Sequence, residues 1–419
     1  MKIVTIISAN YLAYAKTLAL SVKKADHGAL LVLIADKKAS CKEKLEYISE
    51  FDYIFAEDIG IQSIHEMAFK YDITEFNTAL KPFFLEYVIN NINDRVVYLD
   101  PDVFVYERLT PIQDALQRSS ILLTPHSTTP IMDGLRPSDI DFLRTGVFNL
   151  GFIAIKKCDE VKKFLCWWKS RCEKLCFNDT AFGTFVDQKW IDLVPCYFSK
   201  VEILKIAGLN VAYWNIHERT LSKNNGKFLV NGEPLYFFHY SGIDTKKPDD
   251  FSKHQSRTSL TSNSSLRELV ASYIALLLEN GIQIYQMIPY GFNYLNDGSY
   301  ISPTARRALV VYGDTVLDPF DSKENFQLTL RRSGLQCDQF PDVGSVNTRN
   351  FYKYRKFAKY INMMIRASAF IFGAIRMFKL IRYFSIVSRE SHYQSILLGQ
   401  EMDFSHPKDR YFLGNNIDR

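Results

Sequence analysis

The sequence predicts an α/β protein with a mostly parallel sheet, helices on both faces and a mainly helical C-terminal extension. Two observations lead to this class. Over residues 1 to about 125, short apolar strand-like runs alternate with stretches whose apolar residues recur at helical spacing, the pattern of parallel strands joined by helices. Beyond residue 255 a Ser/Thr/Asn-rich stretch gives way to helical patterning without further strand runs. The chain has 419 residues, 47% of them hydrophobic and 23% charged, enough for a folded core and more than one domain. The expected division is 1–255, 256–345 and 346–419.

In order, Lys2 to Ile7 reads as a first buried strand, too short in its apolar run for a signal peptide. Tyr11 to Lys24 carries Leu12, Ala15, Leu18, Ala19 and Val22 at helical spacing. Leu30 to Ala35 is a second strand, Lys42 to Glu50 a helix and Tyr53 to Phe55 a third strand. In parallel sheets ligands bind beyond the carboxyl ends of the strands, and Ser8-Ala9-Asn10-Tyr11 occupies such an end. Ala79 to Val88 is helical with Pro82 in its first turn. Lys81, at that N-terminus, is either a phosphate ligand or a surface lysine.

The stretch Arg95 to Val105 carries the chemistry. Strand formers deliver Asp100 and Asp102 one residue apart around Pro101, and residues i and i+2 of an extended chain face the same way. Two carboxylates at one point suit a hard divalent cation that keeps open positions for phosphate oxygens; the alternative is a pair of solvated turn residues. Gly146 to Ile155 is a further strand carrying Asn149 and Gly151, followed by an apolar helix from Val161 to Leu175. Asp187 and Gln188 stand side by side ahead of another apolar segment. Tyr236 to Gly242 is a short aromatic strand ending in His239, Ser241 and Gly242, with Lys246 and Lys247 just beyond. His239 is either a ligand or a hydrogen-bonded core residue.

A net charge of +5 is too weak to argue for nucleic acid, and no nucleic-acid partner is expected. Its placement says more: from Arg349 to Arg389 there are ten Lys or Arg and no Asp or Glu, interleaved with Met, Ile and Phe. That is the make-up of an interfacial helix on an anionic membrane, or of a packed helix with a solvated basic face. Seven cysteines without a Cys-x-x-Cys pair fit a reducing compartment. No run reaches the roughly 18 apolar residues of a spanning helix, so a cytoplasmic protein, peripheral at the inner face of the membrane, is expected.

With these residues in view, the chain resembles bacterial nucleotide-sugar glycosyltransferases of the GT-A type, close to the family 8-like enzymes of surface polysaccharide synthesis. Tyr98-Leu99-Asp100-Pro101-Asp102 is similar to the family's metal-binding Asp-x-Asp, Phe148 to Phe152 to its Asn-x-Gly strand, Asp187-Gln188 to its Asp-Gln segment, and Phe238 to Gly242 to its His motif. The resemblance implies a GT-A-type, Rossmann-like sheet. It implies Mn²⁺ or Mg²⁺ on Asp100, Asp102 and His239, with Asn149, Asp187 and Gln188 as the catalytic group around the sugar. Ala9 and Tyr11 would meet the base of a nucleotide-diphosphate sugar, UDP-linked before others. Lys81, Gly242 and Lys246 or Lys247 would lie by its diphosphate, on which Asp100 also holds the ion. A saccharide or polyprenyl-linked saccharide is the implied acceptor. The sequence departs from the family at Lys247-Pro248-Asp249, where the pattern has Lys-Pro-Trp. The rival readings are a sugar-1-phosphate nucleotidyltransferase, whose Gly-rich basic loop Ser8 to Tyr11 lacks, and a non-catalytic membrane-associated subunit.

Overall fold

Apolar runs bounded by turn residues become strands in the computed structural model, which describes residues 1–312, 315–336, 355–388 and 390–399. Cys337, Arg349, Lys353 and Arg389 lie outside the described residues. In chain order the strands are β1 (Lys2–Ile7), β2 (Leu31–Ile34), β3 (Asp52–Phe55), β4 (Arg95–Leu99), β5 (Val103–Val105), β6 (Ile121–Pro125), β7 (Phe148–Lys156), β8 (Val201–Ile203), β9 (Leu221–Asn224), β10 (Lys227–Val230), β11 (Glu233–Pro234) and β12 (Phe237–His239).

A seven-stranded sheet has the order β3-β2-β1-β4-β7-β6-β8. Its pairs are parallel except that β7 runs against both β4 and β6. The sheet is therefore mostly parallel, as the sequence predicts. Because β7 is reversed, its entry at Phe148 and Asn149 shares an edge with the exits of β1, β4 and β6. Alternate residues of a strand point to opposite faces, and here both sets are buried. Ile3, Ile7, Val97 and Leu99 join one core with Leu12, Leu18 and Ile112 of the helices Leu12–Lys24 and Thr110–Arg118. Val4, Ile6 and Val96 are equally buried, where the helices Ile73–Ala79 and Lys81–Asn91 pack on β1 and β4.

The acidic stretch differs from its expected form. It is two strands separated by a turn, with Val103 N–H donating to Asp100 C=O at 3.1 Å. Pro101 has no N–H to continue the ladder, and β5 turns away to pair antiparallel with β12, setting Val103 opposite His239. A turn, rather than strand alternation, brings the two carboxylates together.

The chain divides into compact units Met1–Phe292 and Asn293–Arg419. Beyond the boundary expected at 255, the helix Ser264–Glu279 buries Leu266, Leu269, Val270 and Tyr273 against Phe238 and Tyr240. In the second unit, the helices Pro303–Val311 and Glu390–Leu397 pack together, Gln394 Nε2 donating to Thr304 C=O at 2.8 Å. The helices Arg355–Phe372 and Ala374–Val387 bury none of their residues. Among the described residues no helix is long and apolar enough to cross a membrane.

Asp36, just past β2, fixes the first loop. Its buried carboxylate accepts from Ala9 N at 3.1 Å, Lys37 N at 2.8 Å and Gly291 N at 2.8 Å. Each unsatisfied buried donor costs about 1–3 kcal/mol. Asp36→Ala is therefore expected to destabilise the protein by ~3 kcal/mol or more, read as a lowered urea midpoint at unchanged slope.

Candidate functional site

Three side chains from two separate segments meet at the sheet edge. Asp100 and Asp102 come from the turn after β4, and His239 from the last position of β12. One ligand atom of each lies within 4.8 Å of the others. His239 Nε2 is 2.9 Å from Asp102 Oδ1 and 3.7 Å from Asp100 Oδ2. Burial draws the imidazolium down, and the carboxylates of Asp102 and then Asp100 outweigh it, so His239 titrates above its ordinary value.

A second layer orients this histidine. Asn210 Nδ2 donates to Thr124 Oγ1 at 2.8 Å and to Asn149 Oδ1 at 3.0 Å. This leaves Asn210 Oδ1 to accept from His239 Nδ1 at 3.3 Å. Nε2 is thereby aimed at the two carboxylates. Asn149 Oδ1 also accepts from Gly151 N at 3.1 Å, while its Nδ2 donates to His126 Nε2 at 3.3 Å. Burial pushes His126 down to about 4, so the ring is neutral and can accept. Asn149 is thus the hub of the layer behind the site. Gly151 is needed for space, since a Cβ there would overlap the His239 ring and stand 2.6 Å from Nδ1.

Two carboxylates and an imidazole whose other nitrogen is hydrogen-bonded form a donor set that fits Mn²⁺ or Mg²⁺. The turn carrying the carboxylates borders a cavity of about 460 Å³ lined by Ser8, Asn10, Tyr11, Thr74, Asn77, Thr78, Tyr98, Asp100 and Asp102. Its volume is that of a small-ligand pocket. Tyr11 stands at its wall, 42% exposed and stacked on Tyr14 at 4.8 Å. Ala9 is fully buried and meets the site only through its neighbours.

Lys81 is neither a surface residue nor free for phosphate. Its ammonium is buried, 2.8 Å from Asp187 Oδ2, and donates to Leu150 C=O at 2.8 Å. Burial lowers it, and the negative charges of Asp187 and Asp100 more than compensate, holding it charged. It also lies 4.4 Å from the ring centre of Tyr98, whose hydroxyl donates to Asp100 Oδ1 at 2.7 Å. Gln188 accepts from Leu150 N at 3.0 Å and donates to Thr145 C=O at 2.9 Å. Before them, Val186 adopts φ +43°, a conformation that a β-branched residue rarely takes. This bend turns Asp187 inward.

Gly242, at φ +77°, forms the turn after β12, where a Cβ would lie 2.5 Å from Ser252 Oγ. Lys246 and Lys247 follow on the exposed side of this loop. Among the described residues neither forms an ion pair, and the backbone around them closes through Asp244 (Lys246 N to Oδ1 and Lys247 N to C=O, both 2.9 Å). Asp36, Asn210, Thr124 and Tyr98 are functional neighbours that the motif reading passed over. Tyr98 alone carried a signal, standing on β4 two residues before Asp100.

No family model matches the chain. It is 34% identical over 176 residues to the uncharacterized protein YfnF of Bacillus subtilis, which covers 41% of this chain and 57% of YfnF. It is 27% identical over 228 residues to the uncharacterized protein YfnD of the same organism, covering 53% of this chain and 71% of YfnD. The chain thus spans little more than half of YfnF. Among solved structures it is similar to the galactosyltransferase LgtC in complex with donor and acceptor sugar analogs, at 18% identity and a TM-score of 0.42 over 67% of this chain and 96% of that one. It is also similar to the glycosyltransferase GlyE of Streptococcus pneumoniae, at 18% identity and a TM-score of 0.37 over 70% and 66%.

Placing a methyl group on Gly151 tests the packing of the histidine. Gly151→Ala is expected to cost about 1–3 kcal/mol through overpacking and to displace the imidazole. A scan of melting temperature against Mn²⁺ should then show a lower baseline and no rise with metal.

Proposed function

We propose that the chain is a metal-dependent glycosyltransferase, moving a sugar from a nucleotide-diphosphate donor to a saccharide or lipid-linked saccharide acceptor of bacterial surface polysaccharide. The observation that carries this reading is the convergence of Asp100, Asp102 and His239 beyond the strand ends, where the two carboxylates line a cavity of about 460 Å³. A bound Mn²⁺ or Mg²⁺ would neutralise the charge that develops on the diphosphate as the sugar leaves.

The protein's own residues divide the remaining work. Tyr11 offers a ring face to the base, and Asn10 and Asn77 offer side-chain amides along the same wall. Lys246 or Lys247, on a loop with no ion-pair partner among the described residues, supplies positive charge to the diphosphate in place of Lys81. Asn149, Asp187 and Gln188 form the sugar side, held by the hydrogen bonds and ion pair behind them. A UDP-sugar is the first donor to test. Binding to the folded state raises its stability, by about 2.7 kcal/mol at a ligand concentration 100 times Kd. A melting-temperature screen of UDP-, GDP- and dTDP-sugars is expected to give one nucleotide whose shift requires Mn²⁺ and disappears in Asp102→Asn. A screen in which no nucleotide-sugar shifts the protein, with or without metal, overturns the reading.

The second unit supports an acceptor at a membrane surface. Between residues 355 and 388, Arg355, Lys356, Lys359, Arg366, Arg376, Lys379 and Arg382 are accompanied by no acidic residue. Phe370 is 93% exposed and Ile375 76%. Basic and apolar exposure on the same helices supports contact with an anionic membrane surface. Vesicle sedimentation is expected to recover the protein with vesicles containing phosphatidylglycerol and not with neutral ones. The full chain carrying Lys356→Glu, Lys359→Glu and Arg366→Glu should stay in the supernatant. Equal sedimentation of both proteins would refute membrane contact.

A further inference from the structure

We infer that Tyr98 is a positioning residue for the metal ion, its hydroxyl fixing Asp100 so that a single carboxylate oxygen faces the site. The inference rests on the proposed metal-dependent function and assigns a role outside the three ligands.

The two carboxylates of the turn are held in different ways. Asp102 is fixed through its backbone by Tyr240 N–H donating to its C=O at 2.8 Å, and its Oδ1 lies 2.9 Å from His239 Nε2. Asp100 is fixed through its backbone by donation to Gly151 C=O at 2.9 Å, but its Oδ2 is 3.7 Å from the histidine, beyond hydrogen-bond reach. Its side chain is oriented instead by Tyr98 Oη at 2.7 Å from Oδ1. A carboxylate with one oxygen occupied by a phenol presents the other. The phenol itself cannot swing away. Tyr98 is 3% exposed, sits in β4 with Tyr98 opposite Ile153 of β7, and has the Lys81 ammonium 4.4 Å from its ring centre.

Without the hydroxyl, Asp100 is free to rotate about its terminal torsion, and the ordering of that carboxylate falls to the ion. Partners of this kind, one layer behind a metal, typically contribute about 10- to 100-fold in metal affinity.

The test is Mn²⁺ binding without turnover, read from the electron paramagnetic resonance signal of the free ion during titration of the full chain. Tyr98→Phe keeps the ring beneath Lys81 and removes only the hydroxyl. Its Kd for Mn²⁺ is expected to rise by about 10-fold or more at an unchanged melting temperature, and a smaller rise overturns the inference. Tyr98→Leu, which removes the ring as well, is expected to lose no more affinity than Tyr98→Phe. A larger loss would assign the effect to packing and overturn the role of the hydroxyl. Because Tyr98 acts through Asp100, adding Tyr98→Phe to Asp100→Asn should change the remaining affinity little; additive losses overturn the inference. If the unaltered protein binds neither Mn²⁺ nor a nucleotide-sugar, the proposed function itself fails, a result distinct from normal binding by the Phe variant.

Discussion

Three carboxylates, Asp100, Asp102 and Asp187, crowd one sheet edge, and the buried ion pair between Lys81 and Asp187 is what makes that crowding tolerable. Both side chains are no more than 2% exposed, and the charges are 2.8 Å apart. Breaking a buried pair by removing one partner typically costs 3–5 kcal/mol, roughly a third of the stability of a domain. The lysine is also pinned by Leu150 C=O and lies against Tyr98. One cation therefore ties the helix Lys81–Asn91 to β4, to β7 and to the Asp-Gln segment. With Lys81 committed to this task, positive charge for the proposed diphosphate donor would have to come from elsewhere. The loop carrying Lys246 and Lys247 leaves β12 directly after the candidate metal ligand His239.

The reversal of β7 has a comparable reach. Were β7 parallel to its neighbours, its entry would lie at the opposite edge and Asn149 would be far from the carboxylates. Reversed, it sets Asn149 and Gly151 beside His239, one by hydrogen bonding through Asn210 and the other by leaving room for the ring. The resulting network is buried, and the amide groups that orient the histidine are satisfied. In a low-dielectric interior such networks are rigid because each unmade bond is costly. That rigidity explains how a histidine can be aimed at two carboxylates before any ligand arrives.

The parts of this arrangement that were legible in the sequence are those written locally. Strand and helix alternation follows from periodicity, and β1, β2, β3 and the helix after the first loop lie close to their expected bounds. The Asp100-Pro101-Asp102 and His239 pieces were visible as residue types at strand ends. Other features depend on partners distant in sequence. The bend at Pro101 follows from the pairing of β5 with β12, more than a hundred residues away. Asp36 is defined by Gly291, and Lys81 by Asp187, neither of which can be inferred from spacing. The packing beyond 255 was hidden for the same reason: a Ser/Thr/Asn-rich stretch resembles a linker, whereas the helix after it carries an apolar face that packs on Phe238 and Tyr240.

The site thus has a fixed side and an open side, and the two suit different demands. Asp102, His239, Asn149, Asp187 and Gln188 are each held by protein partners. Charge stabilisation during a reaction is effective only when the dipoles and charges need not reorganise, so a catalytic apparatus belongs on this side. Tyr11 is part-exposed, and Lys246 and Lys247 stand on an exposed loop. Ordering such side chains on binding lowers affinity by about 0.5–1.5 kcal/mol each, which would favour release of a charged nucleotide under the proposed function. A site locked on both sides would hold its product as firmly as its donor. The division between a rigid layer behind His239 and an exposed loop after β12 therefore suits the turnover that the proposed function calls for.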